Sequence, residues 1–155
     1  MSALVAGHDG ARRASSAVEA LGAISPDAAA VALGRAAIFA LPARSDPFGL
    51  SVLEAALSGC ALVLGDVPSL RELWGGAALF VDPADPEDLG RALRCLITHP
   101  TVREALAARS RSRALGLSPE RMALGYLALY DELFARPTRS SDMPRSLASP
   151  RAPRA

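Results

Sequence analysis

Two carboxylates, Asp46 and Glu54, stand eight residues apart in the stretch SDPFGLSVLEAALSGC, residues 45–60. Phe48, Gly49 and Leu50 lie between them, and the apolar residues 50, 53 and 57 recur at helical spacing. One acid therefore precedes a helix start and the other lies inside the helix, about 6 Å along its axis. Pro47 biases Asp46 toward an extended conformation that aims its side chain out of the loop. Gly49 lets the backbone approach a ligand closely. The amides near Leu50 and Ser51 open the helix without intrahelical acceptors, which suits a phosphate. A carboxylate at Glu54 repels phosphate at contact but accepts from two adjacent hydroxyls, such as those of a ribose. Asp46, on the other side, accepts hydroxyls from a sugar. Carboxylate, amide donors and carboxylate fit sugar, diphosphate and ribose in that order.

The elements that must position these groups alternate along the chain. Apolar runs at 3–6, 18–21, 36–41, 60–65 and 77–81 predict strands, and AAIFAL (36–41) is continuous, as for a strand buried on both faces. Ser25 and Pro26 open a helix in SPDAAAVALGRA. LSVLEAALS (50–58) is the next helix, with Gly59 as its stop, and Ser69 is expected to cap the short helix LRELW before Gly75-Gly76. Helical patterns then fill PEDLGRALRCLI, TVREALAARSRSRAL and SPERMALGYLALYDELF, with Pro100 dividing the first two. The alternation predicts an α/β fold, a Rossmann-like parallel sheet with right-handed crossovers. Ligands of such sheets sit beyond the carboxyl ends of the strands, where the loop PARSDPFG leaves the third one. AGHDGARR is too irregular for a Gly-rich phosphate fingerprint, so the chain is expected to start partway into a domain.

At these residues the sequence resembles the carboxy-terminal nucleotide-sugar-binding domain of the retaining glycosyltransferases of group 1 (family 4), proteins of the GT-B fold. Their Glu-x7-Glu signature, E-[GP]-F-G-L-x-x-L-E-A, is matched by Asp46, Phe48, Gly49, Leu50 and Glu54. Gly59, Asp66 and Glu72 and the run AALFVDPADPEDL continue the pattern, and the resemblance extends from about residue 17 to residue 134. It implies a nucleotide-diphospho-sugar donor of UDP or GDP type and no metal. Asp46 is then the catalytic-site acid that accepts hydroxyls of the donor sugar. Backbone at Phe48, Gly49 and Leu50 contacts sugar and diphosphate, with Ser51 a further phosphate neighbour, and Glu54 holds the ribose. Asp46 stands where the family usually has Glu, so its carboxylate reaches about 1.5 Å less far. The family's acceptor-binding domain, and the early strands whose Arg and Lys neutralise the diphosphate, are expected to have no counterpart here. The implied partners are the nucleotide sugar and either a separate amino-terminal acceptor domain or a second copy of the chain.

Composition bounds the alternatives. Among 155 residues, half are hydrophobic, only 5% are aromatic, and all seventeen basic residues are arginine. An Ala-, Leu- and Val-rich core follows. The last twenty residues hold five of the Arg and one of the sixteen acids, leaving twelve Arg against fifteen acids, a net −3, in residues 1–135. That balance argues against a nucleic-acid footprint. Residues 136–155, rich in Pro, Ser and Arg, are expected to be a disordered tail after a donor-binding domain over 1–135. Cys60 and Cys95 show no metal or disulfide spacing and both sit in apolar runs, so buried thiols are expected. With no signal-peptide pattern and no membrane-spanning run, the cytoplasm is the expected location.

Several residues read more simply as structure. Glu72 reads as a local cap or pair, Trp74 as packing, His8 and His99 as loop residues, and the arginines of RSRSR (109–113) as a solvated helix face. A degenerate, non-catalytic nucleotide-sugar-binding or interaction module is the alternative to the transferase reading. A receiver-type regulatory domain is disfavoured, because it needs a Lys and the chain has none.

Overall fold

The computed structural model describes residues 3–6, 18–46 and 49–135. The first two strands, β1 (Ala3–Ala6) and β2 (Val18–Gly22), pair in parallel as a two-stranded sheet. Helix α1 (Pro26–Arg35) follows, and Ser25 caps it as expected, accepting the Ala28 N–H at 3.3 Å. A three-stranded parallel sheet comes next, in the order β3 (Ile38–Leu41), β4 (Ala61–Gly65), β5 (Ala78–Val81). Helix α2 (Leu50–Leu57) connects β3 to β4, and α3 (Pro68–Trp74) connects β4 to β5. Two more helices complete this unit, α4 (Pro86–Thr98) and α5 (Pro100–Leu115). The parallel α/β expectation is met.

The core lies on both faces of β4, whose five residues are all buried. Alternation along the strand sends Leu62 and Leu64 to one face, with Val52, Ala55, Ala56, Leu70 and Trp74. Ala61 and Val63 point to the other, with Leu96 and Leu106. Ala, Leu and Val do dominate this core, as the composition implied. Trp74 is 1% exposed, the packing role expected of it, and its indole Nε1 has no hydrogen-bond partner.

Helix α6 (Pro119–Ala135) belongs to a second unit and is described by itself. Its side chains are exposed, and the Tyr130 and Phe134 rings stack at 6.4 Å. No helix of the described residues is long and apolar enough to cross a membrane.

Four expectations need correction. The third strand begins at Ile38 rather than 36, because the Ala36 N–H closes α1 on the Leu33 carbonyl at 3.1 Å. That strand is also not buried on both faces: Ala40 is exposed and its neighbours are half-buried, and among the described residues β3 pairs with β4 alone. Ser69 is not a helix cap; Val67 holds the cap position of α3 and Pro68 begins the helix. Cys60 is buried, its thiol donating to the Ala36 carbonyl at 3.3 Å, but Cys95 is exposed on α4. Residues 136–155, expected as a disordered tail, and His8 lie outside the described residues.

Candidate functional site

The loop 42–49 leaves β3 at its carboxyl end and is held there by three contacts with the elements beside it. The first is at Gly65, the last residue of β4. A Cβ there would fall on the carbonyl oxygen of Ala43 and stand 3.0 Å from its nitrogen, so only glycine admits the loop across the strand end. The second is Ser69, whose hydroxyl donates to the Asp46 carbonyl at 2.7 Å. The third is Gly49, which lies against Leu70 and Val52. A Cβ at Gly49 would meet them at 3.3 and 3.4 Å.

Gly49 is also the N-cap of α2, at φ 62° and ψ 40°, in the left-handed region that L side chains rarely occupy. This geometry turns its N–H back toward the preceding residues, and it donates to Asp46 Oδ1 at 2.6 Å. The half-buried Asp46 side chain therefore folds onto the helix start, where the sequence alone suggested that it points out of the loop. Its carboxylate is ordered by that contact. Pro47 and Phe48 lie outside the described residues.

Helix α2 separates its faces cleanly. Val52, Ala55 and Ala56 are buried, while Leu50, Ser51, Glu54 and Leu57 are exposed. Glu54 thus stands on the solvent face, a turn beyond the helix start. Its backbone carbonyl accepts both the N–H and the hydroxyl of Ser58, at 3.0 and 2.9 Å, which closes the helix. The structure so brings Asp46, Gly49, Leu50, Ser51 and Glu54 onto one loop and helix at the carboxyl edge of a parallel sheet.

Asp66, just beyond β4, lies at the same edge. It is paired through both oxygens with Arg71, one hydrogen bond running from Nη2 at 2.7 Å. The Arg71 hydrogen bond holds the Asp66 carboxyl below its usual range. Arg71 in turn lies 4.7 Å over the Phe80 ring. The Glu72 side chain is exposed, and its carbonyl accepts from Arg113 at 3.2 Å. In RSRSR the arginines are exposed as expected, but Ser110 is fully buried and donates to the Cys60 carbonyl at 2.9 Å. His99 also has partners: its Nδ1 lies 2.9 Å from Thr98 Oγ1 and 3.0 Å from the Cys95 carbonyl.

Gly65 and Ser69 are the site residues that sequence reasoning missed. A glycine ending a buried strand signals close backbone approach, so Gly65 carried a readable cue. Ser69 carried a misleading one, because a serine ahead of a helical run reads as a cap.

Parallel strands, helices on both faces, and a held loop running into a helix at the carboxyl edge define a Rossmann-like domain of the α/β class. Within that class the chain belongs to the family Glycosyl transferases group 1, whose profile matches residues 3–99. The D-inositol 3-phosphate glycosyltransferase of Thermobifida fusca (strain YX) is 34% identical over 99 residues, 61% of this chain and 22% of that protein. The protein of the same name from Nocardioides sp. is 31% identical over 126 residues, 80% of this chain and 28% of its own length. The chain thus spans about a quarter of the curated relatives it matches. Among solved structures, the sucrose-phosphate synthase of Thermosynechococcus elongatus superposes with a TM-score of 0.68 at 29% identity, over 77% of this chain and 31% of the synthase. HepE of Anabaena, solved in complex with UDP and glucose, gives 0.65 at 16% identity, over 76% of this chain and 32% of HepE.

Proposed function

We propose that residues 1–135 form the donor-binding portion of a retaining glycosyltransferase that uses a nucleotide-diphospho-sugar of UDP or GDP type. The observation that carries this reading is the loop 42–49, pinned at the carboxyl edge with Asp46 and Glu54 on either side of the start of α2. The names of the relatives support a sugar-transfer chemistry, and the complex of HepE with UDP and glucose supports the donor class.

Each group has a part. The first turn of α2 offers backbone N–H groups and the positive end of a short helix to the diphosphate. Leu50 and Ser51 lie in that turn. Glu54, one turn on and exposed, accepts the two ribose hydroxyls, far enough from the phosphates to limit repulsion. Asp46, its carboxylate ordered by the Gly49 N–H, accepts hydroxyls of the donor sugar. Phe48 and Gly49 supply backbone contacts to sugar and diphosphate. Ordering these acceptors before the ligand arrives lowers the entropy that binding must offset. No metal is invoked. Both cysteines are free thiols, in keeping with a cytoplasmic enzyme.

Calorimetry of the purified chain with UDP and GDP tests this reading. Glu54→Ala removes hydrogen bonds to a charged acceptor, each worth about 1.5–3 kcal/mol, so affinity should fall at least about tenfold. Asp46→Glu should leave nucleotide binding intact and leave sugar-nucleotide binding equal or stronger. Unchanged UDP and GDP affinity in Glu54→Ala would remove the ribose assignment.

A further inference from the structure

Two arginines without acidic partners lie at the opposite edge of the sheet from the loop 42–49. The turn Gly75-Gly76-Ala77 joins α3 to the amino end of β5, and its Ala77 N–H closes on the Trp74 carbonyl at 2.9 Å. Gly76 holds φ 78°, in the left-handed region that glycine enters freely. The second half of α5 runs beside this turn, and the two line an open cleft of about 550 Å³. Its walls are the turn on one side and Arg109, Ser112 and Arg113 on the other. No acidic side chain is among the described residues that line it.

The rotation of α5 is fixed from its inner side. Ser110 is fully buried and donates to the Cys60 carbonyl at 2.9 Å, and Ala114 is buried in the core. Residues 109, 112 and 113 then share one face, at spacings of three and four, while Arg111 falls outside the cleft. Arg113 is oriented by carbonyls at the end of α3: its Nη2 donates to Glu72 at 3.2 Å and its Nη1 to Gly75 at 3.5 Å. A guanidinium has five donors, so three remain after these two bonds. Among the described residues, no hydrogen bond or ion pair engages the Arg109 side chain. Like charges one turn apart disfavour a helix, and a bound anion would offset that repulsion.

We propose that this cleft is a binding site for a soluble phosphomonoester, with Arg109 and Arg113 taking the phosphate and the turn 75–77 receiving the uncharged body. Charge sets the class. Two guanidinium forks match the oxygens of one dianion, and the Ser112 hydroxyl donates to the same group. Size sets the rest, because the volume falls in the range of small-molecule sites, about 300–1,000 Å³. The turn carries no side chain larger than a methyl, so the body of the ligand can approach its backbone. The proposal does not rest on the transferase reading, since the cleft shares no residue with the loop 42–49 or with α2.

NMR titrations of the full chain test this, with inorganic phosphate and glycerol 3-phosphate as probes at constant ionic strength. Saturable shifts should appear at the amides of 75–77 and 109–113. The fluorescence of Trp74, the chain's one tryptophan and the neighbour of Gly75, should change in parallel. Glycerol 3-phosphate should bind more tightly than phosphate, because its body adds contacts with the turn. Arg109→Gln should weaken both by at least about tenfold with an unchanged thermal midpoint, since no partner of that side chain is lost. Arg111→Gln, on the same helix but outside the cleft, should leave affinity unchanged, and Glu54→Ala should leave these shifts in place. Shifts that do not saturate, or equal losses in Arg109→Gln and Arg111→Gln, would reduce the cleft to a solvated helix face and overturn the proposal. So would phosphate shifts confined to Leu50 and Ser51, which would place the anion at the donor loop. Arg109-dependent co-sedimentation with phosphatidic acid vesicles, without any response to glycerol 3-phosphate, would overturn the soluble source and assign the cleft to a lipid headgroup.

Discussion

Gly49 meets two constraints at once, a left-handed backbone and a tight seat against Leu70 and Val52. The left-handed conformation alone costs an L residue about 1–2 kcal/mol, and a Cβ at 3.3 Å from Leu70 adds to it. Gly49→Ala should therefore lower the thermal midpoint by roughly 5–10 °C, measured by circular dichroism. An unchanged midpoint would show that the loop is less tightly held than the contacts indicate. Charged residues at this edge act through pH. Asp66 is held below its usual range mainly by its hydrogen bond to Arg71, and Asp85 mainly by the Glu87 N–H. A depressed acid stabilises the fold above its unfolded value, about 3.9, and that contribution disappears as pH falls through the folded value. Stability should be flat from about pH 8 to about pH 5 and decline below about pH 4, less so in Asp66→Asn. Because Asp66 is exposed and Asp85 only half-buried, the change is small and should shrink with added salt, as urea midpoints across pH will show. A midpoint that rises on acidification below that point would contradict the assignment.

At the scale of elements, the site depends on β4 and α3 as much as on the loop that carries it. Gly65 and Ser69 hold Ala43 and Asp46 from below, and neither belongs to the motif. Gly65→Ala must push the loop off the strand end, so nucleotide affinity should drop by tenfold or more while the far-UV spectrum stays that of an α/β protein. Ser69→Ala loses one hydrogen bond, about 1 kcal/mol, and should weaken binding several-fold by loosening the same loop. Calorimetry on the two variants separates them. Equal affinity for wild type and Gly65→Ala would mean that the loop position does not matter to the ligand.

For the whole molecule, binding and transfer part company. The chain spans about a quarter of its curated relatives, and the residues proposed to hold a donor are not matched by residues assigned to an acceptor. Without an acceptor held against the anomeric carbon, the advantage of proximity, up to about 7–11 kcal/mol, is not realised. The purified chain should bind UDP or GDP weakly and transfer no sugar from UDP- or GDP-glucose to any soluble acceptor. Sugar transfer by the 155-residue chain alone would overturn that expectation.

Local signals in the sequence were strong enough to specify most of this. The Ser25 cap, the Gly59 stop, Pro100 and the apolar runs place every strand and helix to within two residues, because each signal acts through the backbone of its own segment. The spacing of Asp46 and Glu54 around Gly49 likewise survives as a loop and helix start, since it depends on one short stretch of chain. What the sequence could not contain is contact between distant segments. That Ser69 serves Asp46 instead of capping α3, that Ser110 reaches Cys60, and that Cys95 faces out follow from how helices settle on the sheet. The pairing of the strands is the clearest case. Apolar composition shows that a strand wants neighbours on both faces and edges, but only the hydrogen-bonded ladders decide which neighbours it has.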